Sequence, residues 1–324
     1  MKKITLILFF GFLYQLSFAQ NLKKVDQIVS SYPEVTSIEE LAKKINYDFK
    51  GSNLEKVRAV YTWIGINIKY DYMLYDSNLL RQPEFIVFND QSDLNWIKKR
   101  KKKEIAQKAF SKKKGLCTGY AYLFQRICNL IDIPNELIFG YTKTSFQDIG
   151  IKPTTKNHVW NSVNIDNRWL LIDVTFGSGY MYKDVWQQHL NFKYFDARKK
   201  FLKLTHFATG LKWKRFMKQK EFQQFCEDPF FQNAFLKSNI EIITPTVGEI
   251  IINKRERIRL TVKKLSKSDK IRYLYLHDKI LHKAQVVNKH ERLTNLYFKN
   301  PKRDTSLHIY INNELALEYK IKVR

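Results

Sequence analysis

The chain has 324 residues, with 57 Lys or Arg against 31 Asp or Glu, a formal charge of +26 and 15% aromatic residues. This length exceeds the roughly 100–200 residues of a single domain, so two domains with substantial cores are expected, and three cysteines are too few for a disulfide-stapled scaffold. The charge favours anionic partners, but zinc-ligand spacing, an RNA-binding aromatic signature and a phosphate-cradling glycine loop are all missing, which argues against specific nucleic-acid binding.

In chain order, Lys2-Lys3, an apolar run from Ile4 to Leu16 and Ser17-Phe18-Ala19-Gln20 follow the pattern of a secretory signal peptide. Cleavage is expected after Ala19. The run is shorter than the ~20 residues of a membrane-spanning helix, and no later stretch is longer and equally apolar. A secreted or periplasmic mature protein without a transmembrane span is therefore expected, carrying +24 once Lys2 and Lys3 are removed.

Residues 22–69 are expected to be mostly helical, because Leu54, Val57, Ala59, Val60, Trp63, Ile64 and Ile68 recur at helical spacing. Residues 72–115 are mixed and basic. The runs from Lys98 to Lys103 and from Lys112 to Lys114 read as a solvated loop able to hold an anionic envelope component such as lipid or acidic polysaccharide. A periodic helix is expected from Cys117 to Ile131, stopping before Pro134. Leu137 to Tyr141, Val159 to Ile165 and Trp169 to Phe176 read as strands, the last two joined into a hairpin by Asp166-Asn167. Tyr180 to Phe235 reads as largely helical. Short β-rich runs from Asn239 onward, including 249–252, 257–262, 271–276, 306–311 and 317–323, suggest a small sandwich.

The chemistry-bearing residues lie at two of these elements. Cys117 stands where a glycine-containing turn enters a helix, so its sulfur meets unpaired N–H groups and the positive end of the dipole, both of which favour the reactive thiolate. Alone, an inert thiol is an equal reading. Cys128 lies about 16 Å further along the same helix at ~1.5 Å per residue, too far for a disulfide, and its apolar neighbours mark it as a buried small hydrophobe. In the hairpin, a turn at 166–167 sets Ile165 opposite Arg168, Trp160 opposite Asp173 and His158 opposite Thr175. His158 and Asp173 then become diagonal neighbours on one polar face, with Val159, Val163, Ile165, Leu170, Ile172, Val174 and Phe176 on the core face and Asn161 as its polar exception. A histidine so placed can accept a thiol proton, and a carboxylate on its other nitrogen fixes its tautomer.

The motifs Val60-Tyr61-Thr62-Trp63-Ile64 with Asn67-Ile68-Lys69-Tyr70-Asp71, Gly115-Leu116-Cys117-Thr118-Gly119-Tyr120-Ala121, Asn157-His158-Val159-Trp160-Asn161 and Trp169-Leu170-Leu171-Ile172-Asp173-Val174-Thr175 together resemble the transglutaminase-like superfamily. His206-Phe207 and Trp213 are similar to the kyphoscoliosis-peptidase-type branch. The resemblance covers about residues 38–230. It implies an α+β fold in which a transglutaminase-like (papain-like) core packs a helix-borne cysteine on an antiparallel sheet, ahead of a small all-β sandwich. It also implies Cys117 as nucleophile, His158 as base and acid, and Asp173 as the orienting carboxylate. Phe176 departs from the Trp that often follows the aspartate motif. The backbone N–H of Cys117 is one expected oxyanion donor, with Trp63, Trp96 and Gln107 as candidates for the second.

The expected organisation is a signal peptide over 1–19, a transglutaminase-like domain over 20–237 and an Ig-like sandwich over 238–324. The expected function is hydrolysis or transfer of a protein or peptide amide acyl group through a Cys117 thioester, hydrolysis being favoured because no selector for an amine over water is visible. No calcium-loop pattern is present, so no metal or other cofactor is expected. The alternative is an envelope scaffold or binding protein with a residual triad.

Overall fold

The computed structural model describes residues 21–76, 88–182, 185–210, 212–213, 218–288 and 293–324. The expected signal peptide lies outside the described residues. No helix among those described is long and apolar enough to cross a membrane. The chain divides into two compact units, one comprising the residues up to Phe139 with His158–Arg198, the other Gly140–Asn157 with Lys199–Arg324.

In the first unit, α1 (21–30) is followed by α2 (Ile38–Asp48) and α3 (Asn53–Asn67). Ser37 and Ser52 start the latter two by accepting from Glu40 N and Glu55 N, as N-cap hydroxyls do. Nearly all of α3 is buried, from Lys56 to Gly65, so it forms the centre of the core. Arg58 on α3 is held by both carboxylate oxygens of Asp26 at 2.8 Å, and the same carboxylate accepts from Thr62 Oγ1 at 2.6 Å. The guanidinium lies 3.5 Å from the centre of the Phe192 ring and 4.8 Å from that of Phe195. Charge and cation–π attraction thus anchor the 191–195 segment to the helical core.

Residues 72–115 depart from the expected mixed loop. A single helix, α4 (Gln91–Lys112), carries the whole Lys98 to Lys103 run, and its buried residues are Ala106, Ala109 and Phe110. Apolar periodicity exists only in that last stretch, which is why it gave no helical signal. Lys113 ends α4 in the left-handed region at φ 50°, and α5 (Cys117–Leu130) begins four residues later. The two helices pack closely. A Cβ added at Gly115 or Gly119 would lie 3.3 or 3.2 Å from Ala109 Cβ, a tight contact that Ala109 would have to relieve by a few tenths of an ångström.

Strands β1 (Asn135–Thr142), β2 (His158–Ile165) and β3 (Arg168–Ile172) follow. The β2–β3 register is the expected one, from Ile165↔Arg168 to Asn161↔Ile172, around Asp166 and Asn167 at φ 50° and 61°. Two features differ. The ladder ends at Ile172, and Val174–Ser178 form a short helix, α6, instead of continuing the strand. Both faces of β2 are covered, Trp160 and Ser162 being as buried as Val159 and Val163. Asn161, the polar exception on the inner face, donates to Ala121 O of α5 at 3.0 Å. Beyond α6, the expected helical stretch begins instead with a small hairpin of β4 (Gly179–Tyr182) and β5 (Val185–Gln188), and among the described residues α-helix appears only in the short segments Lys199–Leu202, Gln219–Glu227 and Asn233–Lys237.

In the second unit, Gly140–Thr142 of β1 pair antiparallel with β6 (His206–Ala208), and Phe222 and Phe225 of α7 (Gln219–Glu227) pack on Phe207. The C-terminal region is all-β. One sheet orders β8 (Glu241–Thr244), β10 (Ile258–Lys263), β13 (Leu293–Phe298) and β12 (Gln285–Asn288). The other orders β9 (Glu249–Ile252), β15 (Glu314–Val323), β14 (Thr305–Ile311), β11 (Ile271–Tyr275) and the pair His282–Lys283, with β7 (Phe230–Phe231) added to β15. Alternating inward residues of both sheets, among them Leu260, Phe298, Tyr273, Leu307 and Tyr319, share one core.

Removing Asp26 would leave Arg58 buried without its counter-ion. Asp26→Ala is expected to cost about 3–5 kcal/mol, as the loss of one partner from a buried pair does. Urea unfolding of variant and parent measures this, and a loss below about 1 kcal/mol would show that the pair behaves as a surface one.

Candidate active site

The approach to Cys117 is fixed by backbone. Lys69–Tyr70, just past the end of α3, pairs in parallel with Lys114–Gly115. Lys69 N donates to Lys113 O at 2.9 Å and Asp71 N to Gly115 O at 3.0 Å, while Lys114 Nζ binds Asp71 Oδ1 at 2.9 Å. From α5, Tyr120 Oη donates to Ile68 O at 2.6 Å. The Asn67-to-Asp71 motif is therefore the clamp that sets where α5 starts.

Cys117 is the first residue of α5. Leu116 caps the helix with extended backbone and no side-chain hydrogen bond, so side chains leave the first-turn N–H groups available to a negative atom at this end. The Cys117 side chain is half-buried and lies within electrostatic reach of His158, whose charged form it favours. Cys128, eleven residues further along and in the core cluster, is fully buried, and burial pushes its thiol well up. It is a packing residue.

His158 opens β2 and is 7% exposed. Its Nε2 lies 2.6 Å from Asp173 Oδ2. Trp160 stacks on the imidazole at 5.7 Å and Phe176 meets it edge-on at 5.2 Å. Phe176 thus supplies an aromatic wall at the position where the family pattern often has Trp.

Asp173 sits where β3 becomes α6. It is the N-cap of α6, its Oδ1 accepting from Phe176 N at 3.0 Å, while its own N–H donates to Tyr194 O at 3.0 Å. One oxygen caps a helix and the other holds the histidine. His158 and Asp173 meet through this turn of the chain and not as diagonal partners of an extended hairpin, since the ladder has ended at Asn161↔Ile172. With both carboxylate oxygens and one imidazole nitrogen engaged inside the site, the group is arranged to handle a proton.

Electrostatics agree with that arrangement. Burial opposes a charge on His158, but Asp173, by charge and hydrogen bond, and then Cys117 outweigh it and raise the histidine from 6.5 to about 10. At neutral pH an imidazolium therefore faces the sulfur, the partner that a thiolate nucleophile needs.

The three candidates for a second oxyanion donor differ in their surroundings. Trp63 is buried and stacked on Phe110 at 5.4 Å, Trp96 is exposed beneath Arg100, and Gln107 is exposed. Two residues not singled out by sequence stand close to Cys117. Burial, and then the charge of Cys117, push the Tyr70 and Tyr122 hydroxyls up. Tyr70 carried a signal, being in the clamp motif, whereas Tyr122 looked like ordinary helix.

Residues 39–174 match the model of the transglutaminase-like superfamily. The chain carries a transglutaminase-like domain. It is 25% identical over 236 residues to human kyphoscoliosis peptidase and 25% identical over 233 residues to the mouse protein, covering 71% and 70% of this chain. The match spans 32% of the length of each of these relatives. A solved TGase structure aligns over 53% of this chain and 41% of its own, with a TM-score of 0.30 and 15% identity. The matched residues of the transglutaminase-like domain include Cys117, His158 and Asp173.

The sign of the pH dependence follows from the raised value. Because His158 is held above its unfolded value, the pair's contribution to stability is complete below about pH 6.5 and is lost as pH rises through about 10. In an NMR titration of the His158 ring the midpoint is expected near 10. In Asp173→Asn, burial is no longer countered by the carboxylate, and the midpoint should fall to about 6.5 or below. An unchanged midpoint would disprove the assignment of Asp173 as the dominant partner.

Proposed function

We propose that the protein is an exported transglutaminase-like cysteine enzyme that hydrolyses, or transfers, a protein or peptide acyl group through a thioester on Cys117. The observation that carries this reading is a half-buried thiol at a helix N-terminus, within electrostatic reach of a histidine whose Nε2 is held at 2.6 Å by a buried carboxylate. Export rests on the N-terminal sequence, with cleavage after Ala19. The all-β region after residue 238 is read as an Ig-like accessory module.

In this mechanism the Cys117 thiolate attacks the amide carbon. The oxyanion forms at the start of α5, against the Cys117 N–H, in a region the clamp has already fixed. The His158 imidazolium gives its proton to the departing amine as the C–N bond breaks, leaving a thioester and a neutral imidazole. That imidazole then takes a proton from water as the hydroxide adds to the thioester. Collapse of the second tetrahedral intermediate expels the thiolate, releases the carboxylic acid and restores the imidazolium, so every proton is accounted for. An amine in place of water gives transfer. Asp173 holds the imidazole in one orientation and stabilises its charged form throughout.

Iodoacetamide alkylation at pH 6.5, mapped by mass spectrometry, tests the nucleophile. Cys117 should react at least about tenfold faster than Cys128 or Cys226, and His158→Ala should slow it by about tenfold or more, less than the roughly 10²–10⁴-fold of a positioned base in turnover because alkylation needs only the thiolate. Equal rates for all three cysteines in the unfolded-corrected comparison would remove the enzymatic reading. Full complementation of a deletion by a folded Cys117→Ala protein would favour a scaffold with a residual triad.

A further inference from the structure

The basic residues of the chain are not spread evenly. Between Gln91 and Leu116 there are ten Lys or Arg against two Asp or Glu, a net of +8 in the segment that leads directly into Cys117. Export and thioester chemistry do not account for this concentration.

Its placement is defined by the α4–α5 hairpin. The buried residues of α4 are Ala106, Ala109 and Phe110, with Ala109 against the start of α5 and Phe110, beneath the Lys113 ammonium, stacked on Trp63 of α3. Stepping back by three or four residues per turn, the same face continues through Lys102 to Lys98 and Lys99. Lys98 and Lys99 are exposed. Lys102 is half-buried, with Nζ 5.8 Å from the centre of the Tyr122 ring on α5. Tyr122 in turn lies within electrostatic reach of Cys117. The basic row therefore runs alongside the nucleophile's helix and reaches a side chain that the nucleophile itself senses.

Nearer the sulfur, charges that could cancel this row are already engaged. Asp71 is paired with Lys114 and Asp173 with His158. The Lys113 ammonium, 4.1 and 4.8 Å from the ring centres of Phe110 and Trp63, has no hydrogen-bond or ion-pair partner among the described residues, and Glu34 acts on it only at longer range. On α4 itself, Glu104 is bound to Arg100. Along α4 the exposed charge is therefore positive in excess.

We propose that this row, Lys98, Lys99 and Lys102 with Lys113, selects acidic polypeptide segments as substrates, drawing Asp- and Glu-rich chain toward the Cys117 thiol. The inference rests on Cys117 being the nucleophile. A peptide is favoured over a lipid headgroup because the row flanks a group that attacks acyl carbon, and steering by a one-signed surface beside a cleft raises the local concentration of the oppositely charged reactant.

The test uses two alkylating probes of similar size and different charge on the full mature protein. Iodoacetate is anionic and iodoacetamide is neutral, so their rate ratio at Cys117, divided by the ratio for N-acetylcysteine, reports the local potential. At about 10 mM ionic strength, where the Debye length is about 30 Å, the normalised ratio is expected to exceed unity by about threefold or more. It should collapse toward one at about 0.5 M salt. In the K98E/K99E/K102E variant, it should drop about fivefold at low salt while iodoacetamide reacts at the parental rate. Because the His158 imidazolium is common to parent and variant, only the difference between them reads the row, and K98Q/K99Q/K102Q, expected to lower the ratio by about twofold, serves should the charge-reversed protein fail to fold.

Fast alkylation by both reagents with a normalised ratio of one, insensitive to salt, would overturn the substrate proposal and leave the nucleophile assignment intact. Slow alkylation by both would withdraw the two together. Loss of binding to phosphatidylglycerol vesicles in K98E/K99E/K102E, with the parental alkylation ratio retained, would reassign the row to a lipid surface and also overturn it.

Discussion

A buried carboxylate and a buried imidazole are each costly, and together they are tolerable only when each satisfies the other. The His158–Asp173 contact meets that condition at 2.6 Å with both side chains almost fully enclosed. Much of the first unit serves to keep it closed. Asp173 is fixed by its two backbone bonds, to Phe176 N and from its own N–H to Tyr194 O. The segment bearing Tyr194 is held in turn by the Arg58 guanidinium on Phe192 and Phe195, and by Tyr61 Oη donating to Asn191 O at 2.6 Å. Asp26 secures Arg58. A chain of contacts thus runs from the first helix to the carboxylate, and each link is a charged or polar group that would be expensive to leave unpaired.

The nucleophile is located by an independent device. The parallel pairing of Lys69–Tyr70 with Lys114–Gly115 and the Tyr120 bond to Ile68 O set the first turn of α5, while Asn161 ties β2 to the same helix at Ala121 O. Sulfur and imidazole therefore sit on different elements that are joined to each other one turn away from the chemistry. Positioning a thiol and its base in this way requires no contact between substrate and scaffold, which is the sense in which the site is preorganised.

Much of this was legible in the sequence, for identifiable reasons. Asp166-Asn167 is turn chemistry that fixes register, and both residues adopt the left-handed conformation that a two-residue hairpin demands. Glycine before Cys117 and proline after Ile131 bracket α5 on either side. What failed to show was where local propensity and tertiary context disagree. Val174, Thr175 and Phe176 have strand-forming side chains, yet an aspartate immediately before them is a helix cap, and the cap prevailed. α4 lacks apolar periodicity over most of its length, so its helix was invisible to a reading based on burial. The β12 and β13 strands are short and carry polar Gln285, Asn288, Thr294 and Asn295, which hid them among the turns of the all-β region.

α4 has a further consequence. Its 22 residues span about 33 Å at ~1.5 Å per residue, but its buried residues all lie from Ala106 onward. The leading half keeps its shape through its own backbone bonds, the Asp90 cap on Asp93 N and the Arg100–Glu104 pair. Against these stand Lys98 with Lys102 and Lys99 with Lys103, like charges one turn apart, each pair opposing the helix by about 0.2–0.5 kcal/mol. Any anion that settles on this face removes that repulsion while it binds. Occupancy and winding of the helix are then two readings of one equilibrium, and a circular-dichroism signal that rises with added polyanion would report the same event as a binding isotherm.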